Sequence, residues 1–264
     1  MNRLDALFSR KSANLLNVYF TAGFPNLDDT VPIIRNLAGA GADLIEVGMP
    51  YSDPMADGET IQQSSMRALR NGLTLDLLFA QLREARQHTG VPLILMGYFN
   101  QVMQYGPERF VRAAREAGVD GLILPDLPFA EYDEQFRELA EAADLRVTFL
   151  ITPNTDTDRL REIGSLSSGF LYVVSSSSIT GKSGAITDEQ IAYFKRIADA
   201  GLAQPRLIGF GISDAESFRT ACRYANGAII GSAFIRALAE GDDVATTTRE
   251  FVASILQPAP SPAA

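Results

Sequence analysis

The chain has 264 residues, of which 46% are hydrophobic and 21% are charged, and its formal net charge is −9. This composition indicates a soluble globular protein, and the acidic balance argues against a nucleic-acid surface. A single cysteine excludes an internal disulfide and fits a cytoplasmic protein, and no apolar run approaches the roughly 20 residues of a membrane helix.

Eight short runs rich in Val, Ile, Leu, Phe and Tyr predict strands, and segments with helical apolar spacing lie between them. In chain order, the predicted strands are residues 17–21, 44–47, 93–98, 121–124, 147–151, 170–175, 206–210 and 228–231. Eight strand–helix units in a chain of this length predict an α/β fold, a (β/α)8 TIM barrel. A doubly wound open sheet is the alternative.

The two ends of the chain depart from this pattern. Residues 1–10 predict a short extra helix ahead of the first strand, in a position to plug the barrel floor. Residues 258–264 are rich in proline and alanine and predict a flexible tail. Because no linker-like composition divides the interior, we expect residues 1–264 to form one TIM-barrel domain.

Glu46 is unusual because it places a carboxylate inside the apolar run of the second predicted strand. Side chains alternate along a strand, so Leu44, Glu46 and Gly48 share one face. A carboxylate on a covered strand is costly unless it is paired, hydrogen-bonded or used in chemistry. The loop that follows adds two more carboxylates, Asp53 and Asp57.

Later predicted strands carry further polar residues. Tyr98 and Asn100 are predicted to end strand three, Asp126 ends strand four, and Tyr172 lies within strand six. TIM-barrel active sites are built from the C-terminal ends of the strands and the loops that follow them. We therefore expect these side chains to gather with Glu46 at one mouth of the barrel.

Glycine-rich segments follow strands six, seven and eight, at residues 175–184, 209–213 and 231–232. Loops after strands seven and eight commonly hold phosphate in this fold, because glycine allows backbone N–H groups to approach the phosphate oxygens. Ser232 would add a hydroxyl group. These segments predict a phosphorylated small-molecule substrate.

Each feature also has a purely structural alternative. Glu46 could be an acid paired with an arginine, since ion-pair networks also bury carboxylates. Asp53 and Asp57 could be turn residues, and the glycines could serve only packing at barrel corners. Taken one by one, the residues do not decide between these structural roles and the functional ones.

The residue types that are missing narrow the chemistry. His88 is the only histidine and is predicted at the far end of the barrel, and Cys222 is the only cysteine, so a metal site of the zinc type is disfavoured. No lysine lies within a predicted strand, which disfavours a Schiff base. Acid–base catalysis by carboxylates remains.

Five motifs resemble those of the tryptophan synthase alpha chain family: FTAGFP at 20–25, EVGMPYSDPMADG at 46–58, PDLP at 125–128, GFGIS at 209–213 and GS at 231–232. Their order and spacing resemble the family along essentially the whole chain. The resemblance implies a lyase that splits indole-3-glycerol phosphate into indole and glyceraldehyde 3-phosphate by a retro-aldol step in tryptophan biosynthesis. It also implies a beta-chain partner that carries pyridoxal phosphate in an α2β2 tetramer, with no cofactor on this chain.

The resemblance further implies individual roles. Glu46 would be the acid/base that moves protons between indole C3 and the side-chain hydroxyl, and Asp57 would hold the indole N–H. Tyr172 would neighbour the reacting centre, and Thr180 would contact Asp57 on loop closure. The remaining implied substrate contacts are Tyr19 and Met96 beside the indole ring, Phe210, and, around the phosphate, Gly181, Gly211, Gly231 and Ser232.

Three other functions stay open at this point. A stand-alone indole-glycerol-phosphate lyase would use the same site without a partner. A catalytically silent barrel would serve as a binding or assembly subunit. A different phosphosugar lyase or isomerase would share the phosphate cradle but not the indole contacts.

Overall fold

The computed structural model describes residues 1–54, 57–175, 186–209 and 211–257. Eight parallel strands close into a barrel in chain order, and the last strand pairs with the first. The predicted TIM barrel is confirmed, and every predicted strand is present with ends within two residues of the prediction. The strands are β1 (Leu15–Thr21), β2 (Leu44–Gly48), β3 (Leu93–Met96), β4 (Gly121–Ile123), β5 (Arg146–Ile151), β6 (Leu171–Val174), β7 (Arg206–Gly209) and β8 (Gly227–Ile230).

Helices surround the barrel and alternate with its strands. They are α1 (Arg3–Arg10), α2 (Thr30–Ala40), α3 (Glu59–Arg70), α4 (Leu75–Arg86), α5 (Phe99–Tyr105), α6 (Pro107–Glu116), α7 (Phe129–Glu131), α8 (Arg137–Ala142), α9 (Thr157–Leu166), α10 (Asp188–Asp199), α11 (Ala215–Cys222), α12 (Ser232–Glu240) and α13 (Val244–Ile255). A π-helical turn, Tyr132–Phe136, joins α7 to α8. Several helices begin at a side chain that accepts a main-chain hydrogen bond, as Thr74 does from Leu77.

Alternation along the strands divides the apolar side chains between two layers. Ile45 and Val47 of β2 belong to the layer between the barrel and its helices, whereas Leu44 belongs to the cluster inside the barrel. The face assignment made from the sequence is therefore confirmed, and it directs the Glu46 side chain to the barrel interior.

Helix α1 closes the floor of the barrel, as the sequence predicted. Its Leu4 and Leu7 are buried among Leu15, Leu44 and Phe170 inside the strands. This apolar cluster separates the lower half of the barrel from water.

Ion pairs fasten the floor from below. Asp120, which directly precedes β4, forms ion pairs with Arg86 at 2.9 Å and with Arg3 at 3.1 Å. Arg146 of β5 binds Asp5 of α1 at 2.7 Å. Because Arg86 and Asp120 are largely buried, this pair is the part of the network whose loss would leave a charge uncompensated. Among the helices described, none is both long and apolar enough to cross a membrane.

Candidate active site

Glu46 lies in β2 at the level where β1, β2 and β3 run side by side. Its Cα pairs in register with Tyr19 of β1 and Ile94 of β3. The side chain is completely buried, with 0% of its surface exposed. A carboxyl group in this position has left water entirely, so its protonation depends on the few groups around it.

The two oxygens of the Glu46 carboxyl have different surroundings. Oε1 accepts a hydrogen bond of 2.5 Å from the Asn17 amide nitrogen, and Oε2 has no hydrogen-bond partner among the described residues. Burial raises the pKa of Glu46 to about 8, and the hydrogen bond from Asn17 acts in the opposite direction. The carboxyl therefore keeps its proton near neutral pH and can both give it up and take it back.

Asp57 stands above Glu46 in the loop after β2. Its Oδ2 accepts a hydrogen bond of 3.1 Å from the Tyr98 hydroxyl, and its main-chain carbonyl accepts one of 2.8 Å from the Gln62 amide. Burial raises the pKa of Asp57, and the hydrogen bond from Tyr98 lowers it. Asp57 is thus a partly desolvated carboxylate held at the barrel mouth.

Two buried phenols, Tyr19 and Tyr172, share this environment. Burial is the main reason that the pKa of each phenol is raised, and the charges of Glu46 and Asp57 raise both further. Both tyrosines therefore lie within electrostatic range of the Glu46 and Asp57 carboxyl groups, and both are neutral at physiological pH. Met96, at the end of β3, contacts the same interior cluster and is partly exposed.

Neighbouring glycines leave room for the two phenols. A Cβ on Gly48 would lie 2.2 Å from the Tyr19 hydroxyl oxygen, and one on Gly209 would lie 2.4 Å from that of Tyr172. Real Cβ atoms do not approach so closely, so any larger residue at either position would displace a ring. Gly48 and Gly209 therefore each have a packing reason, which the sequence analysis considered for the glycines after strands seven and eight, among them Gly209.

The glycine-rich strand ends also come together. Gly231 directly precedes α12, and no side chain caps the first N–H groups of that helix, which begins at Ser232. Gly211 has φ +76° and lies with its missing Cβ 3.8 Å from the Ser175 hydroxyl oxygen. An uncapped helix start beside glycine-rich strand ends can bind an anion. Thr180, Gly181 and Phe210 lie outside the described residues.

The structure changes the positions of some other polar residues that the sequence singled out. Tyr98 and Asn100 do not end a strand, because β3 stops at Met96 and Asn100 lies in α5. Asn100 donates to the Tyr51 hydroxyl at 2.8 Å, and Asp126 accepts the Phe99 N–H at 2.7 Å.

Asp53 is exposed and accepts a hydrogen bond of 2.5 Å from Ser52, so it is a turn residue. His88 is exposed beyond the end of α4, and Cys222 is half-buried on α11.

Sequence reasoning missed Asn17 and the pairing of Tyr98 with Asp57. Asn17 carries a detectable signal, because it is an amide in an apolar strand and has the same parity as Tyr19. The contact between Tyr98 and Asp57 has no such signal, since it joins two loops that are 41 residues apart in the chain.

Comparison with known proteins places this geometry in context. Residues 5–258 match the family model described as "Tryptophan synthase alpha chain". A tryptophan synthase alpha chain of Phocaeicola vulgatus is 51% identical over 92% of this chain and 94% of its own length. One of Flavobacterium psychrophilum is 49% identical over 97% of this chain and 100% of its own length.

Solved structures agree with these relatives. The tryptophan synthase complex of Pyrococcus furiosus contains a chain that superposes with a TM-score of 0.85 at 33% identity, covering 93% of this chain and 99% of that one. A chain of the aminoacrylate-bound tryptophan synthase of M. tuberculosis superposes with a TM-score of 0.84 at 29% identity, covering 97% of this chain and 98% of that one.

Proposed function

The chain belongs to the tryptophan synthase alpha chain family, and from this membership we propose how its site works. It is a lyase of tryptophan biosynthesis that cleaves indole-3-glycerol phosphate to indole and glyceraldehyde 3-phosphate. The observation that carries the proposed mechanism is the buried Glu46 carboxyl, which is protonated near neutral pH and has one oxygen without a partner among the described residues.

In the proposed mechanism, Glu46 first gives its proton to C3 of the indole ring. The ring nitrogen then carries positive charge, and the ring is an electron sink of the iminium type. Asp57, which Tyr98 orients, accepts a hydrogen bond from the ring N–H and stabilises that charge. The protein thus supplies a counter-charge where positive charge develops.

Glu46 is now a carboxylate and takes the proton of the side-chain hydroxyl. The C3–carbon bond breaks, its electrons return to the ring, and the carbon that bore the hydroxyl becomes the aldehyde of glyceraldehyde 3-phosphate. Glu46 ends the cycle protonated, as it began. A carboxyl with a pKa of about 8 suits a group that must donate and accept within one turnover.

We assign the remaining contacts by their positions. Tyr19, Met96 and Tyr172 line the space beside Glu46, where the indole ring and the reacting carbon would lie. The phosphate would bind at the uncapped start of α12, with Gly211, Gly231 and Ser232. The family resemblance adds Thr180, Gly181 and Phe210 to this set.

We further infer that a beta chain carrying pyridoxal phosphate receives the indole in a cytoplasmic α2β2 tetramer. Support comes from the Pyrococcus furiosus neighbour, which was solved as a tryptophan synthase complex. No cofactor on this chain is required by the mechanism above, because the protonated indole ring serves as the electron sink.

The test is an assay for indole release from indole-3-glycerol phosphate in metal-free buffer, with and without a beta chain. A sharp rise on adding the beta chain supports the two-component enzyme, whereas equal rates would indicate a stand-alone lyase. Glu46→Gln should lower turnover by at least about 100-fold, and Asp57→Asn by a comparable factor. Unchanged turnover in either variant, or activity on simple triose phosphates instead, would contradict the assigned roles.

A further inference from the structure

We propose that Asn17 is a positioning residue for the proton transfer at Glu46: its amide binds one carboxyl oxygen and leaves the other as the oxygen that exchanges a proton with the substrate. The use of this proton in cleavage rests on the proposed function. The contact between Asn17 and Glu46 is independent of that function, and its effect on the titration of Glu46 can be measured without substrate.

The Asn17 and Glu46 side chains contact each other through a single hydrogen bond. Asn17 lies on β1, in register with Leu44 and two residues before Tyr19, so its side chain enters the barrel below the level of Glu46. The distance from its amide nitrogen to Glu46 Oε1 is 2.5 Å, and both residues have 0% of their surface exposed. With water excluded, a hydrogen bond of this kind strongly restricts the orientation of the carboxyl group.

The donor type decides which oxygen is protonated. An amide NH2 can only donate, so Oε1 acts as the acceptor; because the carbonyl oxygen of a carboxylic acid is a better acceptor than its hydroxyl oxygen, this contact favours the carboxyl proton on Oε2. Oε2 has no partner among the described residues. Before any substrate binds, the proton is therefore carried on the oxygen that makes no hydrogen bond to the described residues.

The opposite orientation of the Asn17 amide is a distinct arrangement with a distinct consequence. It would turn Oδ1 toward Glu46, and Oε1–H would then donate to it. In that arrangement Asn17 would favour the protonated carboxyl, and its removal would make the proton easier to lose. The direction of the shift on removing Asn17 therefore separates the two arrangements.

Among the residues that the structure describes, the other titratable groups near Glu46 are acidic or phenolic. Tyr19 faces it from β1 and Tyr172 from β6, while Asp57 stands in the loop after β2 and is bound by Tyr98. A negative charge on Glu46 is disfavoured by burial, and the hydrogen bond from Asn17 opposes that effect. Asn17 thus stabilises the carboxylate form of Glu46, which the second half of the cycle needs at physiological pH.

The experiment uses Asn17→Leu, which keeps the branched shape of the side chain and removes the donor. Glu46 is titrated directly by NMR in protein that carries 13C at glutamate Cδ, with Glu46→Gln identifying its signal. The same variants are assayed for the pH dependence of kcat/KM. We expect the pKa of Glu46 to rise by roughly one unit. The limb of the kcat/KM profile that depends on Glu46 should shift to higher pH by the same amount. We also expect kcat to fall by a larger factor than KM rises.

Val18→Ala is the matched control. Val18 lies next to Asn17 on β1 but packs in the outer layer, so its truncation loosens the same strand without touching Glu46. We expect it to lower stability while the titration of Glu46 stays where it is in the parent protein. A shift as large as that of Asn17→Leu would attribute the effect to general loosening and overturn the proposal.

A folded Asn17→Leu protein whose Glu46 titration is unchanged or moves downward also overturns the proposal. If Asn17→Leu does not fold, Asn17→Ser replaces it, with an expected upward shift because a hydroxyl on a shorter side chain is a poorer donor here; no shift or a downward shift again counts against the proposal. If the parent protein releases no indole, the proposed function fails, while the titration of Glu46 still decides the role of Asn17.

Discussion

The Tyr98 hydroxyl lies 3.1 Å from Oδ2 of Asp57, and this contact ties the loop after β2 to the start of α5. Tyr98 also stacks on Tyr51 of the same loop, with ring centroids 5.0 Å apart. One aromatic side chain therefore contacts this loop at two residues, Tyr51 and the proposed counter-charge of the indole ring, Asp57.

Removing that hydroxyl should weaken transition-state stabilisation. We expect Tyr98→Phe to lower kcat/KM for indole-3-glycerol phosphate about tenfold, which corresponds to about 1.4 kcal/mol for a lost hydrogen bond to a carboxylate. Tyr105→Phe is the matched control, because Tyr105 donates to the exposed carboxylate of Asp76 on the outer helices. Equal kcat/KM values for Tyr98→Phe and the parent would contradict the role given to this contact.

The raised pKa of Glu46 should be visible in the stability of the protein. The unfolded chain loses the Glu46 proton near pH 4.5, and the folded chain loses it near pH 8. Between these values the folded state binds more protons, so its stability falls as pH rises, with a slope of about 1.4 kcal/mol per pH unit from this residue. Glu46→Gln removes the slope.

The corresponding measurement is urea unfolding of parent and Glu46→Gln proteins from pH 5 to pH 9. The free energy of unfolding of the variant should gain on that of the parent from pH 5 to about pH 8, and the difference should stay level from there to pH 9. Glu84→Gln serves as control, because the Glu84 side chain is exposed on α4. A difference between Glu46→Gln and the parent that is independent of pH would mean that Glu46 is not buried in its protonated form.

Gly211 should matter for the phosphate end of the substrate. Its φ of +76° is unfavourable for alanine, and a Cβ would intrude on the proposed phosphate site beside Ser175. We expect Gly211→Ala to lower the free energy of unfolding by about 1 kcal/mol and to raise KM about tenfold.

Gly201→Ala is the control for the strain alone. Gly201 has φ +68°, has open space around it, and lies after α10 at the opposite end of the barrel. The Gly201→Ala protein should lose a similar free energy of unfolding and have the same KM as the parent. If both variants change KM equally, Gly211 is not at the phosphate site.

The floor network should contribute to stability and not to chemistry. The Arg86 guanidinium donates to the carbonyls of Gly118, Thr89 and Val91 and to the Asp120 carboxylate. We expect Arg86→Leu to lower the free energy of unfolding by about 3–5 kcal/mol, since buried acceptors lose their donor.

Arg161→Leu removes an ion pair whose side chains are 70% and 96% exposed, and it should cost no more than about 1 kcal/mol. Urea unfolding compares the two variants, and kcat at low temperature should be unaffected in both. A loss of kcat in folded Arg86→Leu protein would show that the floor is coupled to the site.

The fold was predictable because its strands are covered on both faces. A run such as Leu44–Gly48 is apolar in sequence because both faces of its strand are buried. The alternation that set Glu46 apart depends only on the local geometry of the strand. The ends of strands were less certain. Tyr98 reads as a continuation of β3 but precedes α5, because its N–H is bound by the Gln101 side chain three residues later.

The candidate site was predictable to the extent that single residues are unusual for their position. Glu46 is such a residue, and the glycines after the last strands form another signal. The partners of these residues were not predictable, because Asn17 and Glu46 are brought together only by the register of β1 and β2.

The plugged floor has a consequence for hydrogen exchange. Leu4 and Leu7 of α1 fill the barrel below Glu46, so the mouth is the route by which its proton meets bulk water. Covering the mouth, by substrate or by another chain, isolates that proton for the length of a turnover. Within that turnover, the proton that Glu46 gives to the ring and the one that it takes from the hydroxyl both pass directly between the carboxyl group and the substrate. Product release opens the mouth, and the Glu46 proton meets bulk water again before the next turnover.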